Sequence, residues 1–247
     1  MTLAADELAA IAARTLEHYE QRAESFWEGT RDHDVSQNIA TLLKHIEGEP
    51  PLAILDLGCG PGRDLKTLRA LGHAPVGLEG SPRFAAMARE HSGCEVWEQD
   101  FLRLDLPARR FDGVFANAAL FHVPTQELPR ILREIRATLK PRGVLFSSNP
   151  HGDDSEGWNR GRYGAYLRHE TWRDYLAGAG LVEIEHYYRP AGLCKMRKNT
   201  DEGKGDGEFC HVCKWLLVNR VDPGLHAILD DKYFPEAKGK EVEPPNV

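Results

Sequence analysis

The chain has 247 residues, 41% of them hydrophobic, with 31 Lys and Arg set against 38 Asp and Glu. That length is ample for a real core and the apolar share excludes wholesale disorder. The net charge of −7 argues against a nucleic-acid partner, because phosphate neutralisation needs clustered Lys and Arg. No apolar run approaches about eighteen residues, so no membrane span is expected. Residues Met1 to Ala13 already contain Asp6 and Glu7 and lack the basic and apolar regions of a signal peptide. Five scattered cysteines make no disulfide framework, and a cytoplasmic, reducing location is the simpler expectation.

Taken in order, Leu8, Ile11, Leu16, Tyr19, Ala23 and Phe26 recur at roughly helical spacing. Val35, Ile39, Leu42, Leu43 and Ile46 mark a second, clearer amphipathic helix. Gly48-Glu49-Pro50-Pro51 breaks the chain, and short apolar runs then alternate with helical segments. The runs are Ala53–Leu57, Pro75–Glu79, Glu95–Trp97, Phe111–Ala116 and Gly143–Ser147. Helices are expected over Asp64–Leu71, Pro82–His91 and Leu128–Leu139, with Ser81 capping the second and Thr125 a candidate cap for the third. A helix over Glu170–Ala179 and a strand over Leu181–Tyr188 continue the series. This alternation predicts an α/β fold with a mostly parallel sheet covered on both faces. Lys195 to Glu208 reads as a mobile loop, Phe209 to Val218 as one more strand, and Pro235 to Val247 as a frayed tail.

The first strand runs into Asp56-Leu57-Gly58-Cys59-Gly60-Pro61-Gly62-Arg63, a glycine turn leading to a helix. In open α/β sheets such turns hold ligands at the carboxyl edge. Arg63 stands where a dinucleotide fingerprint wants Gly or Ala, and no Gly-Lys-Ser/Thr follows. Asp56, Glu79 and Asp100 end the first three strands and are expected along one edge. A pyrophosphate beside Asp56 would be repelled. A ligand with an ammonium, a sulfonium, ribose hydroxyls and an exocyclic amine would be held, and S-adenosylmethionine has all four. Cys59 reads as a small filler of the turn, since no His or Asp is placed by sequence to activate it.

With this motif the chain resembles class I S-adenosylmethionine-dependent methyltransferases over about residues 15–192. The resemblance implies a Rossmann-like fold with a seven-stranded sheet and an N-terminal helical lid over 1–50. The cofactor-binding core would span 51–192, with an atypical C-terminal segment at 193–247. It also implies that Gly58, Gly60 and Gly62 back onto the methionine part of the cofactor. Glu79, with Gly80 and Ser81 beside it, would take the ribose, Asp100 and Phe101 the adenine, and Asn117 would face the methionyl group or the acceptor.

Methyl transfer from a sulfonium is an in-line displacement that alignment alone can largely accelerate, so the acceptor must be sought in the lids. One candidate lid is Phe26 to Asn38, which is equally readable as a helix connector with Asp34 as cap. The other is a loop after the fifth strand, Ser148–Gly152 and Glu156–Tyr166, whose Trp, Tyr and Arg suit a small polar ligand. These stretches, with Ala116 to Pro124, resemble the methyltransferase domain of ovothiol synthases. That resemblance implies N-methylation of a 5-thiohistidine imidazole, with Trp27, Asn149, Asn159, Arg162 and Tyr163 as substrate contacts. His122, His33 or Asp34 would take the imidazole proton; His122 reads equally as a hydrogen-bonded core histidine. A sulfoxide synthase would act upstream as a separate partner, since this chain contains no His-x3-His pair. The alternatives are another small-molecule or protein acceptor, or a non-catalytic S-adenosylmethionine-binding protein. Cys210-x-x-Cys213 with Cys194 is half a zinc site, and no metal is expected.

Overall fold

The structure is a computed structural model that describes residues 2–189 and 214–221. The Lys195–Glu208 loop, the tail from Pro235 and the Cys194, Cys210 and Cys213 thiols lie outside the described residues.

Seven strands form one sheet: β1 (Ala53–Leu57), β2 (Ala74–Glu79), β3 (Glu95–Glu98), β4 (Phe111–Asn117), β5 (Leu139–Pro150), β8 (Leu181–Arg189) and β9 (Lys214–Val221). Their order is β3-β2-β1-β4-β5-β9-β8. β1 to β5 pair in parallel, and β9 runs antiparallel to both its neighbours. The strand order reverses between β1 and β4, the switch point where an α/β sheet opens a crevice. Among the described residues no helix is long and apolar enough to cross a membrane.

Side-chain alternation divides the core between two faces. Leu55, Leu57, Val76, Leu78 and Val114 point to the side covered by α6 (Leu128–Thr138) and α7 (His169–Gly178). Ile54, Phe115 and Phe146 point to the other, where Ile39 and Leu42 of α3 (Ser36–His45) cover them. On this second face α4 (Arg63–Ala70) and α5 (Pro82–Ser92) bury Leu65, Ala85 and Ala88 against β2 and β3. α3 thus belongs to the core, although it falls within the expected lid. The long first helix is broken at Gln21 and Arg22 into α1 (Ala5–Glu20) and α2 (Ala23–Thr30).

Two local expectations are corrected. The segment expected as a loop after β5 is a hairpin, β6 (Ser155–Asn159) with β7 (Arg162–Tyr166). Arg160 and Gly161, at φ 50° and 89°, form its two-residue turn, the conformation that matches the twist of paired strands. Thr125 does not cap α6: its amide and hydroxyl donate to the Glu156 carboxylate of the hairpin at 2.8 and 2.7 Å. Along β8 one extra residue between Glu183 and Glu185 makes a bulge opposite β9.

Phe146 is fully buried and stacks on Phe115 at 4.9 Å. Phe146→Ala is expected to lower the unfolding free energy by about 3–5 kcal/mol in urea titration. The exposed Leu71→Ala should stay within about 0.5 kcal/mol of the parent.

Candidate active site

A cavity of about 770 Å³ opens at the carboxyl ends of β1 to β5 and is roofed by α1 and α2. Its floor is the turn after β1, where the Gly58 and Cys59 amides both donate to Leu78 O at 2.8 and 3.1 Å. Gly58 and Gly62 hold left-handed backbone, at φ 72° and 89°. A β-carbon on Gly58 would run into Ala119, and one on Gly62 into the Ala88 backbone, both at 2.7 Å. Glycine here serves close packing as well as backbone freedom.

Glu79 ends β2 with its carboxylate buried against the cavity. It accepts from the Gly60 amide through Oε2 and the Ser81 amide through Oε1, each at 2.9 Å. Burial raises its pKa even so, against the lowering effect of those backbone donors. Asp100 and Phe101 line the cavity beyond β3, and Asp100 caps the following turn by accepting from the Leu102 amide at 2.9 Å. Asp56 lies beneath the turn and outside the cavity lining, because its place in β1 turns the carboxylate into the fold. One of its oxygens is buried without a partner, and burial followed by the nearby Asp64 charge raises its pKa well above the usual range. Burial likewise pushes up the Cys59 thiol.

Asn117 at the end of β4 anchors a polar wall. It donates to Asp64 at 3.1 Å and accepts from Asn38 at 3.2 Å and Ser148 at 2.7 Å. Arg63 clamps Asp64 at 2.7 and 3.1 Å and donates to the Thr30 carbonyl of α2 at 2.8 Å. This wall therefore ties the N-terminal helices to the sheet.

The roof brings Tyr19, His122 and Arg162 together. Burial lowers the His122 pKa to about 4, so its imidazole is neutral near pH 7. Its Nδ1 lies 2.6 Å from the Tyr163 carbonyl, which can only accept, so Nδ1 carries the proton. Nε2 is then the acceptor, and the Tyr19 hydroxyl donates to it at 2.7 Å. Arg162 donates to the Tyr19 oxygen at 3.1 Å, while its Nε is buried with no partner. Burial raises the Tyr19 pKa although Arg162 opposes the shift.

Of the residues expected at the site, Gly58, Gly60, Glu79, Gly80, Asp100, Phe101, Asn117, Trp27, His33, Asp34, His122 and Arg162 all line the cavity. Ser81 instead caps α5, accepting from the Phe84 amide, and donates to Glu20. Gly62 packs α4 on α5. Asn149, Asn159 and Tyr163 fall outside the lining. Asn149 is buried within β5, and Asn159 donates to Tyr166 at the hairpin turn at 3.2 Å. The Tyr163 ring packs edge-on against Trp158, its hydroxyl pushed up to about 12 by burial and Glu156. Tyr19 was not anticipated, since it sits in the apolar stripe of its helix; Arg63 and Asp64 had only their proximity to the glycine turn as a signal.

Residues 54–143 match a family described as a methyltransferase domain. A trans-aconitate 2-methyltransferase of Azoarcus sp. (strain BH72) is 32% identical over 207 residues, covering 78% of this chain and 77% of that protein. The chain belongs to the class I S-adenosylmethionine-dependent methyltransferases, and S-adenosylmethionine is its cofactor. A malonyl-[acyl-carrier protein] O-methyltransferase of Erwinia pyrifoliae is 34% identical over 117 residues, 47% of this chain and 44% of that protein. Among solved structures, the 1,6-didemethyltoxoflavin-N1-methyltransferase of Burkholderia thailandensis shares the fold at TM-score 0.69 and 20% identity. It covers 90% of this chain and 92% of that one, and holds S-adenosylhomocysteine and 1,6-didemethyltoxoflavin.

Because His122 titrates near 4 when folded and at about 6.5 when unfolded, the unfolded chain binds more protons between those values. Its contribution to stability is full above pH about 6.5 and is lost as pH falls toward 4, a change of roughly 3 kcal/mol. Urea titrations at pH 7 and pH 4.5 should show a smaller loss of stability for His122→Asn than for the parent.

Proposed function

We propose that this cavity binds S-adenosylmethionine and methylates a small molecule that carries a carboxylate. The observation that carries the acceptor half is Arg162, a cationic residue of the cavity lining whose Nη1 holds the Tyr19 hydroxyl and whose Nε is buried with no partner. A planar fork with spare donors suits a carboxylate.

The residues present fit the cofactor. Glu79 keeps acceptor capacity on both oxygens for ribose hydroxyls. Asp100 suits an exocyclic amine, and Phe101 offers an apolar ring to a base. Gly60 leaves room beside the backbone, since a β-carbon there would meet nothing nearer than Phe26 at 3.9 Å. The bound cofactor supplies a methyl group on a sulfonium, open to in-line attack by the acceptor. The protein's task is then to align that acceptor and exclude water.

Two acceptor chemistries differ in whether the accepting atom must lose a proton. A carboxylate oxygen, as the name of the trans-aconitate relative implies for that enzyme, needs no base. The imidazole of a 5-thiohistidine does, and the Tyr19–His122 pair offers it an acceptor, a weak one because burial holds the imidazole near 4. A proton delivered to the Tyr19 oxygen can be matched by transfer of the hydroxyl proton to His122 Nε2. His33 and Asp34 are further proton acceptors on the cavity wall. Under the thiohistidine reading a sulfoxide synthase acts upstream. The relatives are named for other acceptors, so the reading rests on this pair and on the resemblance of the lid segments.

Calorimetry should show binding of S-adenosylmethionine and S-adenosylhomocysteine. Glu79→Ala is expected to weaken it about 10- to 100-fold, as loss of charged hydrogen bonds implies. No binding to the folded parent would end the proposal. Mass detection over a panel of trans-aconitate, other carboxylates, amines and 5-thiohistidine then identifies the acceptor. Arg162→Lys should raise KM for the true acceptor by about tenfold or more through loss of the planar fork. Tyr19→Phe should lower kcat only where the accepting atom loses a proton.

A further inference from the structure

On the face of β8 away from the cavity lining, three side chains with metal-ligand chemistry meet. Glu183 bridges two histidines, its Oε2 2.7 Å from His169 Nε2 and its Oε1 2.8 Å from His186 Nδ1. The imidazole centroids are 4.3 Å apart. One ligand atom from each residue lies within 4.8 Å of the other two. Around a tetrahedral ion with bonds of about 2.0–2.2 Å, ligand atoms stand roughly 3.3–3.6 Å apart. To close on an ion, the two His–Glu contacts would lengthen and the imidazole hydrogens that now face the carboxylate would be lost.

Its geometry depends on a backbone irregularity. Glu183 and His186 are three apart, and in a regular strand they would face opposite sides of the sheet. The register pairs Glu183 with Asn219 and Glu185 with Val218, so one residue is extra and the bulge returns His186 to the face of Glu183. His169 reaches the same point from the first residue of α7. A second observation lies across the strand pair. Asn219, directly opposite Glu183, is fully buried, and neither atom of its carboxamide has a hydrogen-bond partner. Residues opposite one another in an antiparallel pair have β-carbons about 4.5–5.5 Å apart, so the Asn219 side chain leaves the sheet on the same face as Glu183.

We propose that His169, Glu183 and His186 bind a divalent transition-metal ion of the zinc class, which fastens α7 to the edge strand β8. Two imidazoles with one carboxylate select zinc, cobalt or nickel over calcium and magnesium, which prefer all-oxygen sets. His169 is buried and His186 exposed, so the ion is held on the protein side and reached from solvent.

The test uses the full chain, stripped with a chelator and titrated with zinc and with cobalt. One equivalent of zinc should bind and raise the melting temperature. The cobalt form should absorb in the visible without the strong near-ultraviolet bands of thiolate ligation. His186→Ala, a solvent-facing change, and Glu183→Gln should each weaken binding about tenfold or more and abolish the thermal shift. A Cys210→Ser/Cys213→Ser variant should bind as the parent does. Absence of binding at 100-fold excess zinc would overturn the proposal. So would zinc binding that is lost with the cysteines but unchanged in His186→Ala.

Discussion

The end of β2 is where the architecture of the site converges. Four backbone amides from two separate loops point at two consecutive residues. Gly58 and Cys59 donate to the Leu78 carbonyl, and Gly60 and Ser81 to the Glu79 carboxylate. One strand end thereby sets the turn after β1 and the entry to α5. Each amide bond to the buried carboxylate is worth about 1.5–3 kcal/mol, while withdrawing the charge from water costs several. The raised pKa of Glu79 shows that the backbone donors do not fully offset that cost. The carboxylate is therefore pre-positioned yet under-solvated, the condition in which ligand hydroxyls or a nearby cation gain most from binding.

The roof is attached to this floor by polar contacts at several points. Glu20 at the end of α1 accepts from Ser81 and from the Arg83 amide, so α1 is tied to the same helix entry that Glu79 organises. Thr15 accepts from the Tyr163 amide at 3.1 Å, which joins α1 to the hairpin. Arg63 holds the Thr30 carbonyl on the opposite side. Phe26 and Phe84, 5.2 Å apart, supply apolar contact between α2 and α5. The β6–β7 hairpin matters here. A loose loop after β5 would leave Arg162 free to wander, whereas β7 fixes its backbone and delivers its guanidinium to Tyr19.

The sheet and the floor of the cavity were legible because each rests on local pattern. Alternating apolar runs and amphipathic segments impose the βαβ order, and a glycine turn after a strand marks the switch point without knowledge of the partners across it. Glu79 and Asp100 follow from their places at strand ends. Asp56 shows the limit of that reasoning, since a residue one position before the end of β1 points into the fold and not across the edge. Tyr19 was hidden for a different reason. Its ring fills the apolar stripe that defines α1, and only the contact with His122, 103 positions away, reveals the hydroxyl as part of a polar cluster. The hairpin was obscured because Gly157, Asn159 and Gly161 carry the composition of a loop, and Arg160, at φ 50°, stands where a tight turn usually has Asn, Asp or Gly.

The same distinction explains why the two ends of the sheet differ in what they disclose. At the β1–β4 switch point, function follows from topology, and any chain with this strand order opens a crevice there. At the β8 edge it follows from a single inserted residue. Without the bulge, Glu183 and His186 would occupy opposite faces, and the three side chains would never meet. An i, i+3 pair reads as a helical spacing in sequence, so on a strand it carries no signal until the register is known. Bulges tend to persist where they re-aim a side chain. Here the bulge re-aims His186 onto the face of Glu183, opposite a buried Asn219 whose carboxamide has no partner.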